Sequence, residues 1–213
     1  MLNGKYIILG GEYPPVENRH AMGHAWFVED FVPAATPDDE IALVGDVNLS
    51  ETAVIGNDFE AVQKDFPVMS SDHAVMSSND AVMSSVVETS HDTITLTHYA
   101  PNELRYSFST TAPRVAIFSE IYYPKGWKAW IEPKGAYGEV RNKHYKPTAD
   151  AQSTELFRAD WILRGAIIPA GEGELIMRFE PDSYQLGENI SRATSIILIL
   201  LLIAAIAGCC IKR

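Results

Sequence analysis

TITLTHYAPNELRYSFS, running from Thr93 to Ser109, decides the fold because its residues alternate with a period of two. Leu104, Tyr106 and Phe108 fall on one face, with Arg105, Ser107 and Ser109 on the other. Upstream, Ile94, Leu96 and His98 oppose the threonines and Tyr99. That period belongs to extended strands with one buried face, and the stretch from Ala100 to Glu103 joins the two as a hairpin. Further on, Val115 to Tyr123 is apolar on both faces apart from Ser119 and Glu120, the pattern of a strand central to a sandwich. Trp161–Ile168 and Glu174–Glu180 flank Pro169–Gly173, which reads as another hairpin whose second strand buries Leu175, Met177 and Phe179. Strands at this spacing predict a mainly β (α+β) chain, with an antiparallel β-sandwich or jelly-roll-like domain over 91–187. Pro133 to Glu155, rich in Gly, Lys, Tyr and Pro, reads as a long surface excursion.

Residues 1–66 read as a small N-terminal α/β part. Lys5–Leu9 before Gly10-Gly11 predicts a buried strand, and Ala25–Val32 a second one. Thr36-Pro37-Asp38-Asp39-Glu40 announces a short helix ending near Gly45: a threonine cap, proline at the first helical position and acids in the first turn. Thr52–Ile55 is a brief strand. Residues 67–90 form a low-complexity loop in which VMSSDHA, VMSSNDA and VMSS repeat in heptads, too serine-rich and too few for a coiled coil.

The C-terminal run Ala193–Ile211 is apolar except for Thr194 and Ser195, and Lys212-Arg213 follow it. At about 1.5 Å per residue it reaches roughly 28 Å, close to a hydrocarbon core about 30 Å thick. It therefore reads as one transmembrane helix, with the lipid bilayer as its partner. The basic tail places the C-terminus in the cytoplasm and the domain outside. No signal peptide opens the chain, since the run from Tyr6 to Leu9 is too short for one. The chain is then expected to be either a tail-anchored protein facing the cytoplasm or a fragment of a protein whose earlier helices export the domain.

Twenty-eight acidic against 17 basic residues give a net charge of −11, which argues against nucleic acid or an anionic membrane surface as partner. Both cysteines, Cys209 and Cys210, lie near the end of the helix, so the domain has neither a disulfide framework nor a Cys-ligated zinc. Phosphate-cradling glycine loops, nucleophile elbows and HExxH zinc motifs are missing from the sequence. His20 and His24 have the spacing of helical metal ligands, but an extended stretch follows and no third ligand is evident. No catalytic residue, cofactor or metal is assigned.

Two features are candidates for contact with a ligand. Glu120 shares a strand face with Ala116, Phe118 and Tyr122, and Arg164 shares one with Ile162, Ala166 and Ile168. Charges on such faces need partners. They form either an ion pair, Glu120 with Arg164 or Arg158, or a polar contact to a ligand. The second feature, Tyr122-Tyr123-Pro124-Lys125-Gly126-Trp127-Lys128-Ala129-Trp130, sets aromatic faces around a Pro-Gly turn. Such residues suit a sugar-binding surface, or cap the core near the membrane interface. The candidate glycan contacts are Glu120, Tyr122, Tyr123, Trp127, Trp130 and Arg164.

The run Phe118–Ala129 (FSEIYYPKGWKA) resembles the hallmark segment of the YfhO family of bacterial multi-spanning membrane proteins. Leu2–Ile8, Met22–Val28, Tyr99–Tyr106, Arg158–Arg164 with Ile168–Gly171, and Phe179–Tyr184 resemble further family stretches in the same order. The family comprises GT-C-type glycosyltransferases that take a sugar from a polyprenyl-phosphate carrier outside the cytoplasmic membrane. The resemblance implies a late extracytoplasmic domain and final helix, with the catalytic acids in earlier loops, so that this chain alone is not catalytic. Its implied partners are a cell-envelope glycan or polyprenyl-phosphate sugar. A stand-alone membrane-anchored binding or structural module is the alternative. The chain departs from the family pattern at His24 and Asp160, where asparagine is usual, and at Glu132-Pro133.

Overall fold

The computed structural model describes residues 3–56, 92–141 and 144–211. The low-complexity loop and the Lys212-Arg213 tail lie outside the described residues.

The strands are β1 (Tyr6–Ile7), β2 (Val16–Glu17), β3 (Ala25–Val28), β4 (Asp30–Ala34), β5 (Thr52–Gly56), β6 (Thr93–Ala100), β7 (Glu103–Thr110) and β8 (Arg114–Ile121). They continue with β9 (Trp127–Pro133), β10 (Glu139–Arg141), β11 (His144–Lys146), β12 (Gln152–Thr154), β13 (Leu156–Ala159), β14 (Leu163–Ile168) and β15 (Gly171–Phe179). Helix α1 spans Pro37–Asp46 and α2 spans Asp182–Ile211. A five-stranded sheet, β12-β9-β15-β7-β6, packs on a six-stranded sheet, β3-β8-β14-β13-β5-β4. All neighbours in the two sheets are antiparallel except β4 and β5. The fold is a β-sandwich followed by an apolar helix.

The alternation of β7 places Leu104, Tyr106 and Phe108 between the sheets, against Phe118, Ala166, Ile168, Leu175 and Met177. Strand β8 has two buried faces. Ala116 and Phe118 enter this cluster, whereas Val115 and Ile117 join a second one with Phe31, Ala53, Ile55, Phe157 and Leu163. The Phe157 ring packs on Gly165, where an added Cβ would sit 2.3 Å from it, so the ring has its place only because that residue is glycine.

Several sequence readings are corrected. The N-terminal apolar run is not buried: Ile8 is 77% and Leu9 69% exposed, because β1 pairs only with β2 in a separate two-stranded ribbon. The stretch Ala25–Val32 is split at Glu29 into β3, paired with β8, and β4, paired with β5. A bulge between Leu96 and His98 breaks the alternation of β6 and leaves His98 exposed. Pro169–Gly173 is not a hairpin, since β14 and β15 belong to different sheets and the chain crosses between them there. The excursion after Pro133 is partly buried. Tyr145 on β11 is 5% exposed and donates to Glu132 Oε1 at 2.6 Å, and Thr148 closes on the same carboxylate.

Helix α1 begins as its sequence announces. Asp39 N–H donates to Thr36 Oγ1 at 3.2 Å, and Asp39 Oδ2 accepts from Thr36 N–H at 3.1 Å, a capping box. Glu40, however, is 1% exposed and reaches the β13–β14 turn, accepting from Trp161 N–H at 3.0 Å and pairing with Arg158 at 2.9 Å. In that turn Asp160 and Trp161 adopt left-handed φ values of 49° and 73°. Asp160 is fully buried, and its Oδ1 accepts from Val54 N–H at 2.8 Å. Helix α2 carries Leu186–Ala204, long and apolar enough to cross a membrane by length and composition.

Burial, with the Glu40 carboxylate adding to it, pushes Asp160 up to about 7 from 3.8, against the opposing Val54 hydrogen bond. Protonated Asp160 is thus the form that folding favours. Its contribution is intact below 3.8, falls away as pH rises towards about 7 and stays lost above it. The shift corresponds to at most roughly 4 kcal/mol. Asp160→Asn keeps a residue tolerant of positive φ and removes the charge. It should raise stability by about 1–3 kcal/mol at pH 8 and by little at pH 4, as read from denaturant melts at both pH values.

Candidate functional site

A cleft of about 500 Å³ opens where the chain twice passes from one sheet to the other. Tyr122, Tyr123, Pro124 and Trp127 come from the β8–β9 crossing, and Ser153, Thr154, Glu155 and Leu156 from the β12–β13 crossing, with Lys128 at the rim. Tyr122 N–H donates to Ile162 O at 2.8 Å and fixes the first wall to the β13–β14 turn. Thr154 Oγ1 donates to Ile167 O at 3.2 Å and fixes the second. The volume is in the range of small-molecule sites, and the lining sets three aromatic side chains among Lys128, Ser153, Thr154 and Glu155, which makes it more polar than most such sites.

The β8–β9 loop is set by Gly126. Its φ of 87° is left-handed, and an added Cβ would meet Pro181 Cβ at 2.9 Å. Glu180 N–H donates to Gly126 O at 2.6 Å, and the rings of Trp127 and Tyr123 lie 5.5 and 6.3 Å from Phe179. The cleft therefore sits at the end of the sandwich from which α2 leaves.

Beneath the cleft lies Arg164, 2% exposed. Its guanidinium stacks on the Trp127 indole at 4.1 Å, while Nη2 donates to Ile121 O at 3.2 Å and Nη1 contacts Met177 Sδ at 3.5 Å. Arg164 Nε and the Tyr106 hydroxyl are buried and have no hydrogen-bond partner among the described residues. Burial holds Arg164 below its ordinary value, the charge of Glu120 opposing. Burial likewise raises the Tyr106 phenol, with Glu120 adding to the effect.

The expected ion pair of Glu120 with Arg164 or Arg158 is not formed. Arg158 pairs with Glu40, and Arg164 is held by Trp127, Ile121 and Met177. The cause is an irregularity in β8. Leu163 aligns with Ile121 but Arg164 with Phe118, so Ser119 and Glu120 are left without partners on β14. A bulge of this kind re-aims its side chains. Ser119 turns instead to the neighbouring strand segment, its Oγ donating to Gly23 O at 2.6 Å. Glu120 is half-buried and acts on Arg164 and Tyr106 through its charge.

Of the candidate contacts, Tyr122, Tyr123 and Trp127 line the cleft together, Arg164 backs it, and Glu120 stands beside Arg164 without lining it. Trp130 is not with them. It projects from the opposite face of the five-stranded sheet and packs on Tyr145 at 5.0 Å, because it lies an odd number of residues from Trp127 along one strand. Sequence reasoning missed the Ser153–Leu156 wall. Nothing local marks it, since its place depends on which sheet each flanking strand joins. Among the described residues no group of three His, Cys, Asp or Glu side chains could hold a metal ion.

No protein-family model, curated protein or solved structure matches this chain.

Trp127 is half-buried against the inter-sheet core, whereas Tyr123 is 52% exposed. Trp127→Ala should cost about 3 kcal/mol of stability, and Tyr123→Ala less than about 1 kcal/mol, in chemical denaturation of the full chain.

Proposed function

We propose that this chain is the late extracytoplasmic domain and final membrane helix of a YfhO-like membrane protein concerned with polyprenyl-linked sugar transfer to cell-envelope glycans. In this reading the sandwich holds a glycan and performs no chemistry, and the helix places it in the bacterial cytoplasmic membrane with its C-terminus in the cytoplasm. The observation that carries the binding role is the aromatic cleft. Tyr122, Tyr123 and Trp127 offer ring faces beside Ser153, Thr154, Glu155 and Lys128. Sugar rings present apolar C–H faces that lie on aromatics and hydroxyls that need donors and acceptors. The cleft supplies both, and Gly126 holds it against the base of α2.

The full chain in detergent or nanodiscs, presented to a glycan array, should bind a subset of saccharides. Tyr123→Ala and Glu155→Gln should weaken that binding at least about tenfold while leaving the melting temperature nearly unchanged, since both side chains are exposed. Trp130→Phe, on the opposite face, should leave it intact. Absence of binding to any glycan, or equal binding by the cleft variants, would count against the reading.

A further inference from the structure

The large apolar side chains left exposed outside α2 are unevenly placed. Tyr99 lies beside the β6–β7 turn, where Asn102 O accepts from Phe179 N–H at 3.0 Å, and Ile121 closes β8. Val140 pairs with Tyr145, whose N–H donates to Glu180 Oε1 at 2.7 Å. All three therefore sit at the end of the sandwich from which α2 leaves. The β1–β2 ribbon, which exposes Tyr6, Ile7, Ile8, Leu9, Tyr13 and Val16, joins the sandwich at the same end. There Ser119, near the close of β8, donates through Oγ to Gly23 O at 2.6 Å and through N–H to His24 O at 3.0 Å. The opposite end is polar: Asp92 accepts from Thr111 and pairs with Arg114, and Lys134 pairs with Glu172.

Exposed apolar surface gathered on one side of a domain marks a place of contact. Only Glu180 and Pro181 separate β15 from α2. The helix rises about 6 Å from Asp182 to Leu186, or about 16 Å to Ala193, the two places from which an apolar span can be counted. A headgroup layer is about 6 Å thick. The sandwich is thus held close to any bilayer that α2 crosses, with its apolar end towards it.

We infer that this end of the sandwich rests on the bilayer, with the β1–β2 ribbon laid into the headgroup layer as a second lipid contact beside α2. This rests on α2 crossing a membrane. Tyr6 and Tyr13 have the apolar body and polar tip favoured at that depth, and Lys5, over the Tyr6 ring at 5.7 Å, keeps its ammonium among the headgroups. Glu12 and Glu17, both exposed on the ribbon, hold it at the surface and out of the hydrocarbon. A chain of net charge −11 gains nothing from anionic lipid, so the contact is apolar and tolerant of salt.

The test places the full chain, with its isoleucine methyl groups labelled, in phosphatidylcholine nanodiscs that carry a nitroxide on the lipid headgroup. The methyls of Ile7, Ile8 and Ile121 should relax severalfold faster than those of Ile94 and Ile168, which align with Phe108 and Arg114 at the far end. That contrast should persist at high salt. Ile8→Glu combined with Leu9→Glu should lower the Ile7 effect severalfold and leave the unfolding midpoint unchanged, since β1 pairs only with β2. Equal relaxation at the two ends overturns the inference, whether the ribbon is then free or covered by a second copy or another protein. An Ile7 effect that survives the two glutamates reports nearness without contact and overturns it as well. A chain that does not enter the discs overturns the membrane reading of α2 itself.

Discussion

Strand β8 is dry on both sides, and the rest of the molecule is arranged to keep it so. Val115, Ala116, Ile117 and Phe118 are each 4% exposed or less, alternately facing the two clusters. Burying one such side chain contributes about 1.5–3 kcal/mol, so leaving either face open would forfeit several of them. One face is covered by the five-stranded sheet. The other needs Phe31, Ala53 and Ile55, which only β4 and β5 supply. Those strands join β13 through one residue pair, Ala159 with Ile55, and this makes the turn at Asp160 a structural junction. The left-handed backbone there and the buried Asp160 are tolerated because Val54, Glu40 and Arg158 converge on the turn.

The same two-sheet plan requires the chain to keep crossing from sheet to sheet, and each crossing makes a corner that side chains must fill. At the β8–β9 crossing the filling is Trp127, with Arg164 behind it. A buried guanidinium costs several kcal/mol unless it is paired or well hydrogen-bonded. Arg164 has the Ile121 carbonyl, an indole face and a thioether, which together are a weak substitute for a carboxylate. The bulge at Ser119–Glu120 is what withholds the carboxylate, turning a pairing that the face pattern allows into a charge that acts at a distance.

The legible part of this structure was whatever depends on local periodicity. The alternation of Leu104, Tyr106 and Phe108, the two-faced β8, and the Thr36-Pro37 helix start can each be read because pleat, burial and capping act over a few residues. The apolar composition of the last helix was legible for the same reason. Register was not. Pro169–Ala170 makes the same turn whether the next strand pairs with its predecessor or leaves for the other sheet, and the sequence carries no mark of the choice. The candidate site suffered from this directly. Tyr122, Tyr123 and Trp127 came together as a local cluster would, while Trp130 fell on the other face and Ser153–Leu156 arrived from a distant segment.

Comparison of the two polar clusters argues for where ligand contact belongs. On the outer face of the five-stranded sheet, Glu103 is bonded by Arg105, Tyr137 and Arg178, and Glu132 by Tyr145 and Thr148. Arg105 and Arg178 neutralise Glu103, Glu132 is held by uncharged donors, and the tyrosines and Thr148 clamp the excursion after Pro133 to the sheet. Arg164 and Tyr106 are the reverse case, buried groups with unmet hydrogen-bonding capacity, directly behind a cleft with an aromatic wall. Buried polar groups without partners are costly, and a structure that keeps them needs a reason. Among the described residues that combination of cost and access occurs at the Trp127 corner, where Glu120 acts on Arg164 through its charge and not through an ion pair.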